Sequence, residues 1–218
     1  MRSVLARALS AVVALVCAAS VAGCGAENAA GLGPQVMRFK DYSYTPQGTP
    51  ESLAAQDYIK ITAVGTVEDF VEGVTYLGEP GNTPYPRVYL VVKVDRILKG
   101  ANENGVLDDG RLFVDLDRGP ISAADGRTPL ISMADFRKAA PVGTRVALFL
   151  TDPPEVPGKV GVVEASSAPR VRTLSPHPQG LIFEGGGGLV SGLVESDELP
   201  ADWRDIRTVD ELATRMTA

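Results

Sequence analysis

The sequence predicts a mainly β domain: a small antiparallel barrel or sandwich with short helices and a helix at its C-terminal end. Three observations predict it. Apolar and polar residues alternate over short runs, which is the period of a strand with one buried face. Turn residues punctuate those runs, since the 218 residues include 23 glycines and 16 prolines. Helix-start signals are few, and each opens only a short apolar-periodic stretch.

The elements follow in chain order. Val36 to Tyr44 reads as a short first strand or a collar on the domain. Thr49-Pro50-Glu51-Ser52-Leu53 starts a helix, with threonine as N-cap, proline at the first helical position and an acid in the first turn; it predicts a helix from Pro50 to Gln56. In Tyr58 to Val67, Ile59, Ile61 and Ala63 share one face, and Lys60 and Thr62 the other. Gly65 inside that run marks a bulge or a sharp bend. Glu68 to Leu77 continues the strand or begins a second, and Gly78 to Arg87 is a Pro/Gly loop.

Val88 to Leu98 carries the clearest period of two. Val88, Leu90, Val92 and Val94 point one way, and Tyr89, Val91, Lys93 and Asp95 the other. Asp109-Gly110 is a turn, and Arg111 to Leu116 alternates again. Ser132 caps a helix from Met133 to Ala140. Thr144 to Thr151, Lys159 to Glu164, Arg170 to Leu174, Leu181 to Glu184 and Leu189 to Val194 complete the strands, with Gly185 to Gly188 as a turn. Thr208-Val209-Asp210-Glu211 is a capping box for the last helix. Trp203, Ile206 and Val209 are expected to pack its entry onto the barrel.

The N-terminal end has a different composition. Arg2 and Arg7 precede an apolar run from Ala8 to Ala22, broken only by Ser10 and Ser20. The run is short of the roughly 20 residues a membrane-spanning helix needs, and has the flanks of a signal peptide. It ends in Val21-Ala22-Gly23-Cys24, which resembles the bacterial lipobox. The resemblance implies cleavage by signal peptidase II between Gly23 and Cys24, and diacylglycerol on the Cys24 thiol. Two acyl chains hold a protein at a bilayer where one binds only marginally. The expected organisation is a leader over 1–23, a lipidated flexible tether over 24–35 and one domain over 36–218. The expected place is the extracytoplasmic face of the cell membrane.

Charge and cysteines exclude several classes. The net charge is −6, and loss of a leader with two arginines and no acid would make it −8. An acidic chain without a Lys/Arg stripe lacks the electrostatic footprint of nucleic-acid binding. Cys17 leaves with the leader and Cys24 is acylated, so the domain has no intramolecular disulfide and no thiolate metal site.

A second resemblance rests on the order of local features: Ala63-Val64-Gly65-Thr66-Val67 after a short helix, a long strand ending in Leu98-Lys99-Gly100, the Gly143 to Thr151 strand, then Pro178-Gln179-Gly180-Leu181 and a glycine-turn hairpin. Over roughly residues 50 to 217 this resembles secreted actinobacterial domains with an OB-like or netrin-like β-barrel. It implies a fold and no reaction. Relatives of the netrin fold that inhibit metalloproteases use a free N-terminal cysteine, whereas acylation is expected to block Cys24.

Candidate chemistry is sparse. His177, the one histidine, sits in Ser175-Pro176-His177-Pro178 and reads as an exposed loop residue. No GxSxG elbow accompanies it, so no catalytic residue is assigned. Asp108, Asp109, Asp115 and Asp117 could gather oxygen ligands for calcium, but without EF-hand spacing they read as a solvated face. Glu68, Asp69 and Glu72 form a chance carboxylate group, with no tryptophan near to stack a sugar. The expected activity is therefore binding, of an extracytoplasmic protein or an envelope component, with no cofactor and no metal. The alternatives are a carrier of lipid or another apolar molecule in a β-sheet cavity and, third, a hydrolase. Tyr85, Arg87 and Tyr89, beside the Pro/Gly loop, are of the types enriched at binding hot spots and form the candidate surface.

Overall fold

The computed structural model describes residues 33–38, 41–77, 79, 83–100, 107–153, 155, 161–163 and 168–217. The chain divides into two units, 1–31 and 32–218, and the described residues all belong to the second. The leader, Gly23, Cys24 and the tether through residue 32 lie outside the described residues, as do residues 78 and 80–82 of the Pro/Gly loop, whose end from Tyr85 is strand instead of loop.

In chain order the elements are α1 (Pro50–Ala54), β1 (Ile61–Leu77), β2 (Tyr85–Lys99), β3 (Leu107–Asp108), β4 (Arg111–Asp117), α2 (Met133–Ala139), β5 (Arg145–Thr151), β6 (Gly161–Val163), β7 (Ser175–Gly185), β8 (Gly188–Ser191), α3 (Ala201–Arg204) and α4 (Val209–Arg215). The fold is mainly β. The eight strands form one sheet in the order β3-β4-β2-β1-β5-β7-β8, with β6 beside the far half of β1, and the paired strands run antiparallel.

The local chemistry explains the element ends. Thr49 and Ser52 cap α1 reciprocally, each hydroxyl accepting from the other's backbone N–H at 3.1 Å. Ser132 and Asp135 do the same for α2. Thr208 caps α4 by accepting from the Glu211 N–H at 3.1 Å. Asp109 (φ 50°) and Gly110 (φ 75°) form the two-residue turn between β3 and β4, where both central positions need positive φ. Gly65 marks a register shift in β1, and a Cβ there would lie 2.2 Å from the Lys93 carbonyl oxygen. The bulge read from the sequence is therefore set by two backbones in close approach.

The sheet buries apolar side chains on both sides. One core takes Ile61, Phe70, Val88, Leu90, Val92, Leu112, Val114, Leu148, Leu181 and Phe183, with Phe136 of α2 laid against Phe70. The other lies beneath the C-terminal helices, where Trp203, Ile206, Val209 and Leu212 cover Val64, Ala147, Phe149 and Ile182. Trp203 is 1 % exposed, and its Nε1–H donates to the Gln47 carbonyl at 3.0 Å. The expected contacts of Trp203, Ile206 and Val209 are thus present.

The sheet curls but does not close into a barrel. One parallel bridge, Val114 with Leu174, brings β4 against the residue before β7. There Asp115 N–H donates to the Leu174 carbonyl at 2.8 Å, and Leu174 N–H to that of Phe113 at 3.4 Å. Pro176 and Pro178 have no N–H to extend the ladder along this edge. The result is a sheet left partly open along a seam, so the closed barrel expected from the sequence does not form.

Several sequence expectations are corrected here. Of the two readings of Val36 to Tyr44, the described residues show no strand: Pro34–Met37 makes a 3₁₀ turn, residues 41–47 run on without strand pairing, and Val36, Met37 and Tyr42 pack on the core as a collar would. In Arg170 to Leu174 only Leu174 makes a bridge. Ser175 to Gly180, read as loop, is strand, because the Leu150–Pro176 and Thr151–Ser175 pairs take it into the sheet across an irregular register. Tyr89 and Val91 do not face water; they pack on Phe113 against Val71 and Val171. The connection into β7 covers that face, which local alternation does not reveal.

Candidate functional site: a cleft at the open seam

Where the seam opens, three strands bring polar groups together. On β4, Leu112, Val114 and Leu116 point into the core, so period two turns Asp115 and Asp117 to the opposite side. On β2, Arg87 pairs in register with Asp117, next to the Tyr89–Asp115 pair. Cross-strand neighbours of opposite charge interact. The Arg87 Nε–H donates to Asp115 Oδ1 at 2.8 Å, and its Nη1 lies 3.7 Å from Asp117 Oδ2, beyond hydrogen-bond range. Among the described residues its two terminal nitrogens make no hydrogen bond, although the side chain is only 10 % exposed. Burial alone would loosen the guanidinium proton; the charge of Asp115 and its hydrogen bond, followed by Asp117, more than reverse that.

Across the seam stand Ser175, Pro176, His177 and Pro178 of β7, with Thr151 and Asp152 at the end of β5 and with Tyr42 and Leu193 closing the rim. Together with Arg87 and β4 they line a cleft of about 280 Å³. Ser175 is buried, and its hydroxyl finds no partner among the described residues. The Tyr42 hydroxyl is pushed up to about 12, by burial first and by the Asp117 charge second, against the opposing pull of Arg87.

His177 is buried, not exposed as its neighbouring prolines suggested. Its ring stacks on Tyr58 at 5.7 Å and meets Tyr44 edge-on at 5.5 Å. Burial pushes its pKa down to about 4, which keeps the ring neutral near pH 7. Nδ1 accepts from the Gln179 N–H at 3.2 Å, which places the ring hydrogen on Nε2. A serine-activating histidine needs the opposite tautomer, with Nε2 as base and Nδ1–H on a carboxylate. Ser175 and His177 share the cleft as wall residues, in an arrangement unlike a nucleophile and its base.

The candidate surface comes apart in the structure. Tyr85 is 41 % exposed at the start of β2, opposite Tyr76. Arg87 lies in the cleft. Tyr89 is buried, its ring against Gly73 and its hydroxyl accepting from the Val74 N–H at 3.4 Å. The acidic groups are also divided. Asp109 pairs with Arg111 at 3.2 Å on the surface, while Asp115 is 2 % exposed instead of solvated. Glu68, Asp69 and Glu72 pair separately with Arg111, Arg137 and Arg118 at 2.5, 2.7 and 2.9 Å. Among the described residues no group of three or more His, Cys, Asp or Glu could hold a metal ion.

Sequence reasoning grouped Arg87 with Tyr85 and Tyr89 and Asp115 with a solvated acidic face; it did not join Arg87, Asp115, Ser175 and Tyr42 in one cleft. The available signal was the shared face of Asp115 and Asp117, together with two prolines that mark a strand edge. Comparison with protein-family models, with curated proteins and with solved structures finds no match.

Proposed function

We propose that the chain is a lipid-anchored, extracytoplasmic binding module that takes an envelope component into the seam cleft. The observation that carries this reading is Arg87. Its guanidinium donates to Asp115 through Nε while Nη1 pairs at 3.7 Å with Asp117, on the wall of a concave site. A fold that needed only an ion pair has no use for the adjacent space. The anchor half of the proposal rests on the Val21-Ala22-Gly23-Cys24 box, with removal of 1–23, lipid on Cys24 and a tether through residue 35. Among the described residues no helix is long and apolar enough to cross a membrane. A lipid carrier is less well supported, because Arg87, Asp115, Asp117 and Asp152 stand among the apolar walls of the cleft, and an acyl chain could not answer their charges. The tautomer of His177 supports binding over hydrolysis.

A photo-crosslinking residue in place of Asp152, on the rim, should trap a discrete envelope component in intact cells. The same residue in place of Val142, exposed at the other end of β5, should not. Equal adduct patterns from the two positions would overturn the binding reading. Mass spectrometry of the membrane-extracted chain tests the anchor separately: the mature protein should begin at a diacylated Cys24, and Cys24→Ser should abolish that species. A mature chain with an unmodified Cys24 would sink the anchor.

A further inference from the structure

Resting on the lipid-anchor reading above, we infer that the Pro141-Val142-Gly143 turn is the end of the domain that meets the bilayer, which leaves the seam cleft at the far end. The place where the chain enters the domain carries this. The described chain begins at Gly33, nine residues after Cys24. There the Gly33 N–H donates to the carbonyl of Ala139, the last residue of α2, at 3.1 Å. Pro34 and Met37 are buried directly behind it, so the entry point is fixed on the domain. Three residues beyond Ala139 stands Val142, 71 % exposed, the most exposed large apolar side chain among the described residues. A lone exposed valine is ordinary on any surface. This one is set apart by its place beside the entry of the anchored segment.

The turn itself is firm. The Thr144 N–H donates to the Pro141 carbonyl at 3.1 Å and the Gly143 N–H to the Val67 carbonyl at 2.9 Å. Gly143, at φ 90°, supplies the positive φ that a type II turn needs at its third position, and Val142 is held at the tip. Lys138 is exposed on the last turn of α2 beside it, and a lysine next to an apolar tip suits an interface with headgroups. The carboxylates that the pairings bring near the turn are held by arginines: Asp69 by Arg137 at 2.7 Å, Glu68 by Arg111 at 2.5 Å, and both Asp95 and Asp210 by Arg145. Their repulsion of anionic lipid is blunted accordingly.

Chain reach decides between the two ends of the domain. Nine residues span at most about 30 Å when fully extended, and about 15–18 Å on average as a flexible coil. The seven residues of β5 run from Arg145 beside the turn to Thr151 on the cleft, about 20 Å at the usual rise of a strand. With the turn at the headgroups, the entry is near and nine residues reach it without stretching. With the cleft end down, Gly33 is raised by about a strand length, past the relaxed span of the connection, which loses chain entropy as it extends.

The test uses the mature lipidated chain, in which acylation blocks Cys24 and an introduced cysteine is the one free thiol. Val142→Cys and, separately, Asp152→Cys carry a nitrobenzoxadiazole fluorophore in vesicles of phosphatidylethanolamine and phosphatidylglycerol. Both positions are exposed, so each labelled chain should keep the wild-type Tm. Lipids bearing a doxyl quencher near the headgroup should quench position 142 about five-fold or more beyond position 152. Equal quenching, or stronger quenching at 152, would overturn the inference. So would no quenching at either position in a chain whose Cys24 is diacylated by mass spectrometry, and the anchor would then stand without the contact. An unmodified Cys24 would overturn the anchor and this inference with it. In the crosslinking comparison, the contact gives bulk phospholipid adducts at position 142, distinct from the discrete component expected at position 152.

Discussion

On the flank where β1, β5 and β7 lie side by side, the sheet is buried from both sides. Apolar residues fill the inner core, and α3 and α4 cover the outer face with Trp203, Ile206 and Leu212. At the seam, one parallel bridge joins β4 to the approach of β7, and beyond it charged and hydroxyl groups replace aliphatic ones. Both regions place β7 against a neighbour. The first neighbour, β5, pairs through Val146–Phe183, Ala147–Ile182 and Leu148–Leu181, and the helices add a second layer. The second neighbour faces prolines that cannot donate. The difference teaches that one strand can anchor the core with its C-terminal half and leave a cleft open beside its N-terminal half. The switch lies at the irregular register between Leu148 and Leu150.

The largest test of this contrast is on the covered flank. Trp203→Ala removes a side chain that packs on Phe149 at 5.5 Å and holds Gln47, so unfolding in urea should show a loss of roughly 3–5 kcal/mol. A loss under about 1 kcal/mol would mean that the helices are an ornament on the sheet and that the seam is the stronger region.

At the seam the expected cost is electrostatic. Arg87→Met takes the guanidinium from the buried Asp115 and should cost about 2–3 kcal/mol, below the value for a fully dry pair because the cleft admits water. Adding Asp115→Leu should recover most of it, since apolar residues of similar volume often replace a buried pair at little cost. If the double variant is no more stable than the single one, the two side chains are not coupled in the way the 2.8 Å contact implies.

Acid should act through His177. Its folded pKa, about 4, is depressed below the unfolded value of about 6.5, so the unfolded chain takes up the proton first. Stability from this group is therefore complete above about pH 6.5 and declines as pH falls toward 4, by about 2 kcal/mol once partial hydration of the ring is allowed for. His177→Gln should flatten the pH dependence of Tm across that window relative to the wild type. Parallel profiles for the two proteins would place the ring in water.

How much of this was legible depended on whether a cause was local. Thr49, Ser132 and Thr208 announced their helices because a cap is a contact across three residues. Gly65 and Asp109-Gly110 announced a bulge and a turn because backbone sterics act within a few bonds. The alternation from Val88 gave the inner face correctly, with Val88, Leu90 and Val92 fully buried. It failed for the outer face, because what covers Tyr89 and Val91 is Val171, some eighty residues along the chain. The same holds for the cleft. Arg87, Asp115 and Ser175 are far apart in sequence, and only the curl of the sheet joins them. His177 looked exposed because two flanking prolines usually mean a loop; here they mark a strand edge that gives up its N–H groups to the seam.

The smallest expected effect separates Tyr85 from Arg87, which the sequence grouped together. Tyr85 stands 41 % exposed at the first position of β2. Its loss removes partly wetted contact and leaves no buried polar group behind, so Tyr85→Ala should move stability by less than about 0.5 kcal/mol. Arg87, two residues on, points to the same side of the strand, but Asp115 and Asp117 enclose it. A double Tyr85→Ala, Arg87→Ala variant should therefore lose about as much stability as Arg87→Ala alone, and loss of binding in the double cannot be ascribed to surface contacts. The informative comparison is Tyr85→Ala alone. If the crosslink from position 152 persists in it at wild-type strength, the ligand is held inside the cleft and not by the edge of β2. If it disappears while Tm stays within a degree or two of the wild type, the exposed start of β2 belongs to the recognition surface and the cleft is one part of a wider site.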